Sequence, residues 1–307
     1  MIAFPIAKIN IGLYITGVRE DGYHDIETVF YPLNLQDAIE IKVQKEAELV
    51  RKTRSTGQRI RRTMDGSLLR GRTDEGVKTE GPVWSMTTYG APIEGDPADN
   101  LVVKAYMMLC QDFELPKIEI RLYKHIPSGA GLGGGSSDAA TMIALLNRRF
   151  NLRMTRSMME RYAVRLGADC PFFISGTPAY ATGIGDVLSP VELSLKGRSL
   201  VLVKPDVSVS TRQAYSMVVP RVRDISLKDA VKAPLSEWRT LISNDFEKSV
   251  FQLYPEVAAI KERLYDMGAA YVSMSGSGSA VYGIFENVQD DPESCFPGLF
   301  CCQRELI

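Results

Sequence analysis

Residues 127–140 read Pro-Ser-Gly-Ala-Gly-Leu-Gly-Gly-Gly-Ser-Ser-Asp-Ala-Ala. Gly129, Gly131, Gly133, Gly134 and Gly135 place five glycines within seven residues. Glycine is costly to order and packs poorly, so such a run is useful where backbone N–H groups must approach a ligand closely. Ser136 and Ser137 then stand at the start of a helix expected over about residues 136–150, as its caps. A helix N-terminus behind a glycine loop presents free N–H groups and the positive end of the helix dipole. The phosphates of ATP are the natural guest. Two familiar phosphate loops do not fit. No lysine follows the glycines, which excludes the GxxxxGK[ST] pattern. GxGxxG matches at Gly129, Gly131 and Gly134, but no acid stands about 20 residues further on to hold a ribose.

Other polar residues are placed for chemistry. Ile6 to Tyr14 alternates as a strand, with Ile9, Ile11 and Leu13 on one face and Lys8, Asn10, Gly12 and Tyr14 on the other. Lys8 and Asn10 therefore aim the same way. Asp169 sits in a Gly-Ala-Asp-Cys-Pro turn just past a helix; as structure alone it is a helix-stop aspartate satisfied by backbone N–H groups. Ser275-Gly-Ser-Gly-Ser279 forms a second small-residue loop between two strands. Asp21-Gly22 marks a turn within Arg19–His24.

The elements that must position these groups are mixed. Strands are expected over 26–33, 38–43, 118–123, 199–204, 270–274 and 280–285. Helices are expected from Leu101 with Asp99 or Asn100 as N-cap, from Thr155 to Leu166 with a Ser157/Glu160 capping box, and from Pro255 to Gly268. Without strict βαβ alternation the fold class reads as α+β. The length of 307 residues suggests two domains, divided near Leu195 to Arg198 into 1–196 and 197–307. Residues from about 45 to 95 are rich in arginine and weakly periodic, and read as a solvated surface extension or flexible loop remote from the chemistry.

Composition narrows the class. Thirty-six basic residues nearly cancel thirty-seven acidic ones, which disfavours nucleic acid and membrane surfaces as partners. No apolar run approaches the ~20 residues of a membrane span. Five cysteines without a CxxC pair, and two histidines, make a zinc site improbable and fit reduced thiols in a cytoplasmic protein.

The 127–140 stretch resembles the phosphate-binding motif of the GHMP small-molecule kinases. Two more motifs of that superfamily appear in the expected order, Ala7-Lys-Ile-Asn-Ile-Gly12 near the N-terminus and Ser273-Met-Ser-Gly-Ser-Gly-Ser279 near the C-terminus. Within it, Arg19-Glu-Asp-Gly-Tyr-His24 and Leu166-Gly-Ala-Asp-Cys-Pro-Phe-Phe173 are similar to the 4-diphosphocytidyl-2-C-methyl-D-erythritol kinase family. The resemblance spans nearly the whole chain except about residues 45–95, where that family has a much shorter connection. It implies a ribosomal-protein-S5-like N-terminal domain with a left-handed crossover and a ferredoxin-like C-terminal domain. It implies ATP-dependent phosphorylation of the 2-hydroxyl of the cytidine diphosphate ester, in non-mevalonate isoprenoid synthesis, by a monomer or weak homodimer.

The resemblance also distributes roles. Asp169 becomes the general base and Lys8 the neighbouring cation. Asn100, Lys124, Pro127, Leu132 and the five glycines, with Ser136 and Ser137, surround ATP. The serine hydroxyls approach phosphate or Mg²⁺, with Asp138 the nearest acid and the metal ligands otherwise unknown. Gly276 and Gly278 let the C-terminal loop close over the phosphates. Asn10 and Thr211 contact the acceptor, Tyr23 and Tyr215 form a stacking platform for cytosine, and His24 reads its edge. Two alternatives stay open: a superfamily kinase for mevalonate, homoserine or a sugar, which Tyr23-His24 argues against, and a GHMP-fold sensor without turnover. A nucleic-acid binder using the basic insert is disfavoured by the charge balance.

Overall fold

The computed structural model describes residues 1–44, 77–80, 83–93 and 95–306. The first half is built on two sheets. One runs in the order β1 (Ile2–Ala3), β4 (Ala38–Val43), β7 (Ile118–Lys124), β6 (Trp84–Gly90), β5 (Val77–Glu80). Alternation on β7 decides its faces: Ile118, Ile120, Leu122 and Lys124 are buried, whereas Glu119, Arg121 and Tyr123 stay partly exposed. Against the buried face pack α1 (Leu101–Asp112) and α2 (Gly134–Phe150), through Val102, Tyr106, Leu109, Met142, Ile143 and Leu146. The other sheet is the long hairpin β2 (Ile6–Val18) and β3 (His24–Gln36), extended by β8 (Ala179–Thr182) and β9 (Val187–Pro190).

The second half contains a four-stranded antiparallel sheet of β10 (Ser199–Lys204), β11 (Tyr271–Met274), β12 (Val281–Phe285) and β13 (Phe300–Glu305). The order β11-β12-β10-β13 puts its first and third strands in the centre, the ferredoxin-like arrangement. The α+β class is therefore observed. Leu195 to Arg198 connects β9 to β10. Ile9, Ile11 and Tyr31 share one core with Leu200, Leu202 and Tyr282, so side chains from both halves meet behind β2.

Three local expectations need correction. First, the region 45–95 is not a surface extension throughout. β6 lies parallel to β7, from Trp84 opposite Ile118 to Gly90 opposite Lys124, and buries Trp84, Ser85 and Met86. Aromatic, Met and Thr residues suit a half-buried strand, and the surrounding arginines masked that short run. The arginines from Arg51 to Arg72 lie outside the described residues. Second, α2 starts at Gly134 after Gly133, so Ser136 and Ser137 sit inside its first turn and cap nothing. Third, α3 (Arg156–Val164) is capped by Thr155, whose hydroxyl accepts the Met158 N–H at 3.2 Å; Glu160 pairs with Arg156 at 2.8 Å instead of closing a box. Among the described residues no helix is long and apolar enough to cross a membrane.

Candidate active site

Three segments far apart in sequence are bonded into one junction. The Lys8 N–H donates to Leu132 O at 3.0 Å, which docks the glycine loop on β2. The Ser275 hydroxyl donates to Gly131 O at 2.8 Å and accepts from the Asn10 N–H at 3.2 Å, bringing in the C-terminal loop. Asn244 holds that loop from behind, donating to Met274 O and Gly276 O, both at 2.8 Å. Contact is so close that a Cβ on Gly131, at φ 73°, would lie 1.9 Å from Ser275 O. Only glycine fits there.

The Lys8 ammonium points into this junction. It donates to Asn10 Oδ1 at 2.5 Å and to Gly131 O at 3.0 Å, and lies 3.3 Å from Asp169 Oδ2. The Lys8 side chain is 4% exposed and that of Asp169 34%, so the pair is dry at one end and open at the other. Asp169 precedes α4 (Cys170–Ser175) and makes no capping bond, contrary to the helix-stop alternative. Asn10 is buried and engaged at both ends, since its Nδ2 donates to Thr28 Oγ1 at 3.0 Å. It orients Lys8 before it could meet a ligand.

A cavity of about 280 Å³ opens on the other side of the glycine loop, lined by Met86, Thr88, Asn100, Lys124, Gly135 and Asp138 among others. The same Asn100 caps α1, accepting the Val102 N–H at 2.9 Å. Lys124 is buried between Asp37 and Asp138, the latter at 2.7 Å. Burial opposes its charge, yet the carboxylates of Asp138 and Asp37 hold Lys124 above the ordinary lysine range. Burial also pushes the Asp138 carboxyl up to about 7, with Lys124 pulling it down and Asp37 pushing it further up. Asp138 Oδ1 and the Ser137 hydroxyl are buried without a hydrogen-bond partner. Among the described residues no cluster of three or more His, Cys, Asp or Glu could hold a metal ion.

Comparison with known proteins settles the family. The GHMP kinases N terminal domain model matches residues 100–177, and the GHMP kinases C terminal model matches residues 226–293. A 4-diphosphocytidyl-2-C-methyl-D-erythritol kinase of Bacteroides fragilis is 49% identical over 306 residues, covering 100% of both chains. One from Cytophaga hutchinsonii is 41% identical, covering 93% of this chain and 92% of its own. The chain belongs to the 4-diphosphocytidyl-2-C-methyl-D-erythritol kinase family. The crystal structure of a 4-(cytidine 5'-diphospho)-2C-methyl-D-erythritol kinase superposes with a TM-score of 0.74 at 28% identity, over 100% of this chain and 99% of that one.

Within this GHMP kinase fold, Lys8, Asn10, Asp169 and the glycine loop are brought together as expected. The residues expected to contact the acceptor are only partly brought together. His24 lies on Tyr215 with ring centroids 4.4 Å apart and planes at 31°, and Tyr215 meets Phe246 edge-on at 4.7 Å. Tyr23 is 61% exposed, and the ring that lies on Tyr215 is that of His24, the expected edge reader. Tyr23 lies in the turn just before β3, whereas His24 is the first residue of the strand and pairs with Val18. Thr211 is the exposed first residue of α5 (Thr211–Tyr215), whose cap is Ser210 in a box with Gln213. Sequence reading missed Thr28, Asp37 and Asn244, which act through partners remote in the chain, and Met86, which lines the cavity.

Proposed function

We propose that this kinase transfers the γ-phosphoryl group of ATP to the 2-hydroxyl of 4-diphosphocytidyl-2-C-methyl-D-erythritol, in non-mevalonate isoprenoid precursor synthesis. The observation that carries the reading is the Lys8–Asp169 pair at 3.3 Å, placed against the glycine loop. Phosphoryl transfer demands positioning and charge neutralisation more than covalent help from the protein. ATP occupies the cavity beside Asn100 and Lys124, with its phosphates turned toward the N–H groups of the glycine loop and the start of α2. The acceptor places its cytosine against His24 and Tyr215 and its 2-hydroxyl at Asp169. The Asp169 carboxylate takes the hydroxyl proton, the hydroxyl oxygen bonds to the γ-phosphorus, and ADP leaves with the electrons of the broken P–O bond. Lys8, held by Asn10 and Gly131, places positive charge beside the oxygen as its negative charge grows.

Mg²⁺ fits this donor set as an ion carried by the nucleotide phosphates. It keeps most of its waters and needs only one or two protein oxygens. Ser136 and Asp138 are the residues of the helix start suited to hold it, Asp138 through its unpartnered Oδ1. When bound, it neutralises phosphate charge.

A coupled ADP-release assay tests the reading. The cytidine diphosphate ester is expected to turn over at least ~10²-fold better, in kcat/KM, than mevalonate, homoserine or galactose, because unmatched acceptors leave buried polar groups unpaired. Phosphorus NMR should place the new phosphate on the 2-oxygen. Equal turnover of mevalonate would assign the chain to another GHMP activity, and no turnover with any acceptor would favour a sensor.

A further inference from the structure

Asp37 belongs to none of the motifs above, and none of its contacts is to a group expected to touch a ligand directly except Lys124. It is the single residue between β3 and β4 and is 1% exposed. Its Oδ2 accepts from the Lys124 ammonium. Its Oδ1 accepts two backbone N–H groups, from His125 at 2.6 Å and Ile126 at 2.8 Å. Those two residues lead directly into the glycine loop. Lys124 in turn donates to Asp138 Oδ2 at 2.7 Å, on α2 just beyond the loop. Asp37 therefore grips the loop on both sides, directly before it and through Lys124 after it.

The loop itself has little means of holding its own shape, because glycines contribute no side chains and have the widest backbone freedom. Its position must be imposed from outside. β2 and the C-terminal loop fix its catalytic side, through Lys8, Asn10 and Ser275. The Ser279 and Ala280 N–H groups also hold Gly129 O and Ala130 O, and the backbone before the loop is held by the Asp37 cluster, which is dry and charge-assisted, the strong kind of hydrogen bond.

We infer that Asp37 is a positioning residue for the nucleotide: its carboxylate fixes the backbone leading into the glycine loop and the Lys124 ammonium that walls the cavity. The inference rests on the reading that ATP fills that cavity. A merely structural carboxylate would, when removed, weaken the fold and depress catalysis with both substrates alike. A positioning role on the nucleotide side confines the kinetic loss to ATP, because the His24–Tyr215 pair shares no residue with this cluster.

The test is steady-state kinetics of Asp37→Asn, with ATP and the cytidine diphosphate ester varied separately. The amide keeps an oxygen for the two N–H groups and loses the charge facing Lys124. KM for ATP is expected to rise ~10-fold, the scale of one charge-assisted hydrogen bond. KM for the ester should stay within about twofold and kcat within about threefold, the signature of lost nucleotide binding. An unchanged KM for ATP, or equal rises in both KM values, overturns the inference. Breaking a buried ion pair can prevent folding, and in that event amide exchange in the nucleotide-free wild type decides. His125 and Ile126 should then be protected ~10²-fold or more over free amides, and exchange at unprotected rates would overturn the assignment. A wild type that turns over the ester with ATP while Asp37→Asn matches it removes only this inference; a wild type inactive with ATP removes the functional reading beneath it.

Discussion

The junction around Lys8 and the open end of the β2–β3 hairpin, which the proposed reaction would use together, are built in opposite ways. At the junction, side chains and backbone from β2, the glycine loop and the C-terminal loop are joined by hydrogen bonds that span most of the chain. Lys8, Asn10, Thr28 and Ser275 are buried there. At the hairpin end Tyr23 and Val18 are exposed, and organisation comes from short-range turn bonds, such as the Tyr23 N–H to Asp21 Oδ1 at 3.0 Å, and from His24 lying on Tyr215. The difference fits what the proposed reaction would ask of each region. Transition-state charge is stabilised best by groups that need no reorganisation during reaction. A base-recognition surface gains its order from the ligand, since aromatic stacking works on any flat face that arrives.

The largest effect is expected where the junction is broken at its chemistry. Asp169→Asn should lower kcat by ~10²-fold or more with the fold intact, the scale of a general base. Its carboxylate is one-third exposed and makes no capping bond, so stability should change little. Lys8→Ala should lose as much. The double variant should lose far less than the product of the two, because both residues serve one proton transfer. Near wild-type kcat in Asp169→Asn would remove the base assignment.

A smaller effect is expected at the hairpin end, and it should appear in binding. Loss of one base–aromatic stack is worth ~1–3 kcal/mol, so His24→Ala should raise KM for the cytidine ester about tenfold. KM for ATP should stay within about twofold in that variant, since the two sites share no side chain. Tyr23→Ala should do less than His24→Ala, because Tyr23 points to solvent and His24 lies on Tyr215. Measuring the three KM values side by side sharpens the contrast between the regions. A larger loss in Tyr23→Ala would place the stacking platform on Tyr23.

The same contrast explains what could be read from the sequence. The glycine run, the Lys8/Asn10 alternation and the Ser275–Ser279 loop are local patterns, and each sits where its spacing placed it. Asp37 carries no local signal, because its partners Lys124, His125 and Ile126 lie 87 or more residues away. Asn244 and Thr28 are illegible for the same reason: their meaning is a contact with a distant backbone. β6 was hidden by its neighbours, since seven strand residues are too few to outweigh a long arginine-rich window. At the hairpin the sequence does not show that His24, the first residue of β3, lies on Tyr215 while Tyr23 stays in the turn.

The smallest predicted effect concerns the nucleotide side, where a buried carboxyl makes stability depend on pH. Asp138 is held up to about 7, from an ordinary value of 3.8, chiefly because burial penalises its charge. A carboxyl with a raised folded pKa binds its proton more tightly in the native state than in the unfolded chain. Its contribution is therefore fully present below the unfolded pKa and is lost as pH rises toward the folded one. For Asp138 that window runs from 3.8 to about 7. Asp138→Asn removes the titration while keeping an oxygen for Lys124. In the nucleotide-free protein, Tm of the wild type should fall more steeply between pH 5 and 7.5, as chosen test limits, than Tm of Asp138→Asn. Each 1 kcal/mol of difference corresponds to about 2–4 °C in a chain of this size class. Parallel Tm–pH curves would show that Asp138 stays ionised through this range beside Lys124. The nucleotide side would then match the catalytic junction, with fixed charges on both faces of the glycine loop.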